Sequence, residues 1–300
     1  MPEASNQAQA FRRRRPSCWL FVEGANRNAL EQAGSCEADA LIQELEDFTP
    51  PPLRPRARQL CAEVLARWRS QDKFACVRIN PLEGDGQSDG AADLAAAMAA
   101  GPDAILIPKV TGAGQIQHLE ALITEHETAL GLQPGATLIV PNVESARGLM
   151  NTRAICECSA RVSACLVASE DMAADLGAER GRDGLELDYV RARFHLECSA
   201  AGVLSIDCPY TWQDPEGLAA ETRHARRLGY RAKSAVNAEH AATIQRLLNP
   251  SAQELADARH LVDAFEAARA QGLGRIEVDG SLVEVPTYLN ARRLLDRNPD

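Results

Sequence analysis

Eight short apolar runs recur along the chain, at residues 18–22, 40–45, 74–79, 104–107, 137–140, 163–168, 203–206 and 231–236. Each is short and apolar enough to be a strand buried on both faces. Longer stretches with apolar residues at helical spacing stand between and after them, at 56–69, 92–100, 115–130, 145–156, 186–200, 216–228 and 239–248. Strand–helix alternation of this kind makes neighbouring strands parallel, because each helix carries the chain back to the starting end of the sheet. Eight repeats point to a closed (β/α)8 TIM barrel. A doubly wound open sheet is the alternative. It is disfavoured by the first strand-to-helix turn, Glu23-Gly24-Ala25-Asn26, which lacks the G-x-G-x-x-G pattern of dinucleotide folds.

The last fifty residues break the rhythm. Ser251 is placed to cap a helix over 252–270, with Glu254 completing a capping box. Residues 275–285 read as a hairpin turning at Asp279-Gly280, and an amphipathic helix over 288–296 follows. The chain therefore divides into a polar and basic leader (1–16), a catalytic barrel (17–249) and a helix–hairpin–helix extension (250–300). An element protruding from a closed barrel needs a surface to cover it, so the extension is expected to dock on a neighbouring subunit of a homo-oligomer.

Charge and cysteine usage remove several function classes. A formal net charge of −10 argues against a nucleic-acid partner and against adhesion to an anionic membrane. The run Arg12–Arg15 is the local exception, read as a solvated arm or as a phosphate contact. No apolar run approaches the roughly 20 residues that cross a bilayer, and the N-terminus carries no apolar signal segment, so a cytoplasmic protein is expected. The nine cysteines fall mostly inside apolar runs, as free buried thiols of a reducing compartment would. Cys156-Glu157-Cys158 has no second C-x-C partner and reads as helix packing. The six histidines show no metal-binding spacing.

In a TIM barrel the chemistry sits beyond the C-terminal ends of the strands. The residues there are Glu46 and Asp47, Arg78 and Asn80, Lys109, Asn142 and Glu144, Glu170 and Asp171, Asp207, and Asn237. Most are acidic, and carboxylates facing one another in a low-dielectric cup raise each other's pKa unless a cation sits among them. Oxygen-only donors point to Mg²⁺, with Mn²⁺ as its substitute. Glu144 and Asp171 follow consecutive strands and are the candidate metal ligands. Each also has a plain structural reading, Glu144 as a carboxylate near a helix dipole and Asp171 as a helix N-cap. Arg78 ends an apolar strand, where an unpaired guanidinium would be costly, so it must face the cup, there to clamp a substrate carboxylate, to pair with Glu46 or Asp47, or both. Lys109, among acids, stays protonated and is structural or substrate-orienting rather than a Schiff-base lysine.

Seven landmarks occur in order: CWLFVEG at 18–24, LEDF at 45–48, VRINP at 77–81, IPKV at 107–110, VESARG at 143–148, SEDMAADLG at 169–177 and VDGSLVEVP at 278–286. With these the chain resembles the citrate lyase β-subunit-like branch of the HpcH/HpaI aldolase superfamily, which includes malyl-CoA and citramalyl-CoA lyases. The resemblance implies a TIM barrel assembled as a homotrimer or hexamer. It implies metal ligation by Glu144 and Asp171, substrate binding by Arg78 and Glu144, and catalytic roles for Arg78, for Glu46 and Asp47 as outer-shell carboxylates, and for Glu284, which stands where a lyase aspartate reaches the neighbouring subunit's site.

The implied reaction is a Mg²⁺-dependent aldol or Claisen-type cleavage of a 3-hydroxyacyl-CoA or related hydroxy acid into a 2-oxo acid and an acyl-CoA or acid. The chain departs from the family pattern at Ser17-Cys18, Glu23-Gly24, Gln32, Ser169 and Val236-Asn237-Ala238. Several of these positions lie where a phosphate-bearing thioester binds. The departures keep two alternatives open: a CoA-independent 2-oxo acid aldolase or acyl-CoA thioesterase, and a non-catalytic subunit of a lyase complex.

Overall fold

The computed structural model describes Phe11 and residues 15–82 and 89–297. Arg12 to Arg14 of the basic run lie outside the described residues. The strands β1 (Cys18–Glu23), β2 (Ala40–Glu44), β3 (Phe74–Arg78), β4 (Ala104–Ile107), β5 (Leu138–Val143), β6 (Ala164–Val167), β7 (Leu204–Asp207) and β8 (Ala232–Ala235) follow one another around a closed barrel. Every neighbouring pair is parallel, including β8 with β1. The expected (β/α)8 barrel is the observed fold. The main helices are α1 (Arg27–Ala33), α2 (Arg54–Ser70), α3 (Gly90–Ala100), α4 (Ala113–Ala129), α5 (Ala146–Met150), α6 (Thr152–Glu157), α7 (Glu170–Leu176), α8 (Asp188–Ala201), α9 (Pro215–Leu228) and α10 (His240–Leu248).

Strand parity decides where each side chain goes. Alternate residues such as Trp19, Ile42, Phe74, Leu106, Val140 and Leu166 fill the barrel interior, while Leu20, Val77, Ile105, Ile139 and Cys165 face the helices and form the larger outer core. The interior is sealed at its N-terminal end by Phe11, which packs 5.3 Å from the Phe74 ring and 6.2 Å from Trp19. The segment ahead of the barrel is thus not wholly a solvated arm.

Two expectations change. β5 runs on through Pro141 and Asn142 to Val143, beyond the apolar run that marked it, and this carries Asn142 onto the interior face. The single helix expected over 145–156 is two, α5 and α6, parted at Asn151. The Thr152 hydroxyl donates to the carbonyls of Gly148 and Leu149, and the Asn151 amide donates to Thr111 O at 2.8 Å, so local side chains compete with the helical ladder there. Gly148 is required in α5 because a Cβ would lie 2.4 Å from Val110 O.

The chain forms two compact units, Met1–Leu248 and Asn249–Asp300. In the second, α11 (Ala252–Ala270) opens on the capping box of Ser251 and Glu254. Strands β9 (Arg275–Val278) and β10 (Ser281–Glu284) pair antiparallel through Asp279 and Gly280, both at positive φ (49° and 74°) as a tight primed turn needs. Helix α12 (Val285–Arg297) starts three residues earlier than its apolar pattern suggests, and Tyr288 stacks on Phe265 at 4.8 Å. Among the described residues no helix is long and apolar enough to cross a membrane.

Candidate active site

Glu44 and Arg78 end β2 and β3 in direct register, and both fall on the interior parity. Two charged groups so buried must satisfy each other, and Arg78 Nε donates to Glu44 Oε1 at 2.8 Å. Glu44 also accepts the backbone N–H groups of Glu46 (2.7 Å) and Phe48 (2.6 Å), which fixes the loop after β2. That loop returns Glu46 to Arg78, with Nη2 3.2 Å from Glu46 Oε2 and 3.9 Å from Asp47 Oδ2. The rings of Phe21 and Phe48 lie 5.0 and 5.7 Å from the guanidinium carbon. Against the desolvation of burial, Glu44, Glu46 and Glu144 hold Arg78 firmly protonated. Its remaining arm, Nη1, lies 4.0 Å from Glu144 Oε1.

Lys109 completes the acidic loop from the β4 side. Its ammonium binds Glu46 and lies 3.5 Å from Asp47 Oδ1. Its backbone is left-handed at φ 55°, an uncommon conformation for a side-chain-bearing residue and one that clusters at functional sites. Burial works against its charge, but Glu46 and Asp47 raise its pKa, in keeping with an ammonium rather than a nucleophilic amine.

Glu144, one residue past β5, continues the interior parity of 138, 140 and 142. It is 3% exposed, and among the described residues neither carboxylate oxygen has a hydrogen-bond partner. The buried side-chain amide of Asn142 and the Ser169 hydroxyl are likewise unpartnered. Burial pushes the Glu144 carboxyl up to about 8; Arg78 pulls it down, while Asp171 and Glu46 push it further up. Asp171 sits in the first turn of α7, and Ser169, not Asp171, is the N-cap position. The adjacent Glu170 turns elsewhere, accepting from Thr211 Oγ1 (3.0 Å) and Arg180 Nε (3.2 Å). The plain reading of Asp171 as a cap therefore fails, and its charge is felt by Glu144.

Glu46, Asp47, Arg78, Lys109, Glu144 and Asp171 thus gather at one end of the barrel. Besides Glu170, the strand-end residues Asp207, Asn80 and Asn237 do not join them. Asp207 ends β7 on the outward parity and is buried among Arg191, Lys233 and the helices. The Asn80 amide donates to Leu45 O and Asp93, and Asn237 closes a local turn with Glu239 N. Glu284 is exposed on β10 of the second unit.

Residues 17–238 match the family model described as HpcH/HpaI aldolase/citrate lyase. The chain belongs to this family. Within it, this HpcH/HpaI member is 31% identical to the citrate lyase subunit beta of Escherichia coli over 99% of its own length and 97% of that protein's. It is 30% identical to the (3S)-malyl-CoA thioesterase of Cereibacter sphaeroides, over 97% of this chain and 95% of that one. The solved citrate lyase beta subunit of M. tuberculosis, complexed with oxaloacetate and magnesium, is 25% identical, with a TM-score of 0.65 over 79% of this chain and 99% of that one. The citrate lyase relatives place this family member in the β-subunit-like branch and indicate a lyase.

Sequence reasoning missed Glu44 and the two phenylalanines around Arg78. Glu44 was absorbed into an apolar run. The argument that singled out Arg78, a charge on the interior face of a buried strand, applies to it equally.

Proposed function

We propose that this lyase is a divalent-metal-dependent enzyme of carbon–carbon cleavage, splitting a 3-hydroxyacyl-CoA or related hydroxy acid into a 2-oxo acid and an acyl-CoA or acid. The observation that carries the reading is Glu144: a buried carboxylate with both oxygens unpartnered, beside the Asp171 charge and 4.0 Å from Arg78. Such a group costs free energy unless a cation meets it. The donors are oxygens only, which suits Mg²⁺ or Mn²⁺. Glu144 and Asp171 would hold the ion, and Glu46 and Asp47 would orient its surroundings from the outer shell. Bound there, the metal supplies Lewis acidity toward the carboxylate and carbonyl of a 2-oxo acid.

The chain's own residues do the rest. Arg78, clamped by Glu44 and Glu46 and flanked by two rings, presents a rigid planar donor to a substrate carboxylate and to the oxygen on which charge develops as the carbon–carbon bond breaks. Preorganised donors of this kind contribute about 10²–10³ in rate. Lys109 keeps Glu46 and Asp47 in place. Glu284 of a neighbouring copy in a homotrimer or hexamer is the group proposed to exchange the proton at the enolate carbon.

Purified protein incubated with Mg²⁺ should cleave malyl-CoA or a related thioester, or free 2-oxo acid aldols if CoA is not required. Calorimetry should show Mg²⁺ or Mn²⁺ binding that Asp171→Ala removes; binding unaffected by that substitution would sink the assignment. A second reading, thioester hydrolysis, is favoured by the malyl-CoA thioesterase relative. Free CoA without a 2-oxo acid among the products would establish it instead.

A further inference from the structure

Three thiols meet away from the carboxylate cup. Cys156 on α6, Cys165 on β6 and Cys198 on α8 bring their Sγ atoms within 4.8 Å of one another. All three are buried, and none is in a disulfide. Strand parity again explains the meeting: Cys165 faces outward from the barrel, into the layer where α6 and α8 lie. The helix-packing role expected for Cys156 beside Cys158 is accordingly incomplete. Its sulfur companions are nine and 42 positions further along the chain, where no short-range spacing could reveal them.

We propose that the Cys156, Cys165 and Cys198 cluster is a binding site for one soft, thiophilic cation, Cu(I) being the ion that three sulfurs suit. Hard cations take oxygen donors, so the ion of the carboxylate cup does not compete here. Closed zinc sites take four ligands and iron–sulfur clusters four thiolates, whereas this group has three sulfurs and no fourth histidine, cysteine or carboxylate donor among the described residues. Cu(I), with low charge and a tolerance for low coordination number, matches three sulfurs that all belong to the apolar core between barrel and helices.

The local electrostatics agree. The carboxylates of Glu157 and Glu197 lie close enough for their charges to act on the Cys156 sulfur. Those same carboxylates favour an incoming cation. As the ion enters, thiol protons leave to solvent. Cys156 lies one residue from exposed Glu157 at the end of the short helix α6, so fraying of that end gives a slow route in. The proposal is independent of the reaction carried out in the cup.

Reduced full-length protein, kept free of oxygen, would be titrated with Cu(I) held by bicinchoninate, with time allowed for slow loading. One equivalent should leave the chelator, Cys165→Ser should lose that equivalent, and Cys36→Ser and Cys158→Ser should keep it. No copper withdrawn by the wild type, or equal withdrawal by Cys165→Ser, would overturn the site. Copper-edge X-ray absorption of the wild-type complex needs no variant: a three-sulfur shell is expected, and a shell containing oxygen or nitrogen overturns it. Zinc binding as tight as copper would overturn the choice of ion.

Discussion

Two buried charge clusters lie at the C-terminal ends of barrel strands, and they are built to opposite rules. Outside the barrel, Asp207 on β7 and Glu221 on α9 face Arg191 on α8 and Lys233 on β8. Asp207 receives Arg191 at 2.8 and 2.7 Å and Lys233 at 2.8 Å, and Lys233 also donates to Glu221 (2.6 Å) and Cys208 O (2.6 Å). Two acids meet two bases, both Asp207 oxygens and Glu221 Oε1 are used, and among the described residues only Arg191 Nη1 of the cluster is buried without a partner. Inside the barrel, among the described residues, Glu44, Glu46, Asp47, Glu144 and Asp171 share only Arg78 and Lys109, and both Glu144 oxygens are unpartnered. A closed cluster with balanced charge is an architectural bolt. An open cluster with surplus negative charge and unpartnered oxygens is a place where something positive binds.

The sharpest way to break this contrast is to remove one charge from each cluster. Lys233→Met leaves Asp207 with Arg191 alone and takes from Glu221 the base it pairs with, and should cost about 3–5 kcal/mol, read from denaturant unfolding. A loss below about 1 kcal/mol would mean that the outer cluster is not the tightly paired unit described. Arg78→Lys keeps the charge in the cup but loses the planar fork. Turnover should fall by about 10²–10³ with little change in unfolding midpoint. A large stability loss with turnover retained would reverse the roles assigned to the two clusters.

The acid limb of stability should also divide them. Arg191 and Lys233, working against full burial, hold the Asp207 carboxyl down at about 2, below the usual 3.8. A depressed carboxylate adds stability that is present above its unfolded-state pKa and is lost as pH falls through the folded value. About 2–3 kcal/mol should therefore disappear between roughly pH 4 and pH 2. Denaturant midpoints across that range would show it, and Asp207→Asn should flatten the limb.

The same contrast shows what could be read without coordinates. Strand–helix alternation made the barrel legible because each run carried its own period, and the capping box and Asp-Gly turn marked the second unit through local chemistry. Arg78, Glu144 and Asp171 were legible as charges at strand ends. Asp207 was misplaced because position past a strand was counted and parity was not: one residue of phase turns a side chain from the cup to the helix layer. The extent of β5 was hidden by Pro141 and Asn142, which look like a strand end although Pro141 pairs with Ile107 in register. The Cys165 companions were hidden because no local period links residues 156, 165 and 198.

The gentlest test substitutes Glu144 with its neutral isostere. In the paired outer cluster any such change would leave a base uncompensated, but in the cup Glu144→Gln removes a carboxylate from a group that already has too many. The metal-free variant should be as stable as the wild type near neutral pH or up to about 1 kcal/mol more so, because burial already holds the Glu144 carboxyl neutral up to about 8, so that the wild type takes up a proton to fold, and Gln keeps that neutral shape without opening a cavity. The benefit should reverse when cation is added. Wild type should gain stability with millimolar Mg²⁺ in proportion to the logarithm of its concentration over the dissociation constant, and the variant should gain little. Thermal melts of both proteins with and without Mg²⁺ measure this directly. A metal-free variant markedly less stable than the wild type would mean that Glu144 is satisfied by its neighbours, and the cup would then be a second bolt.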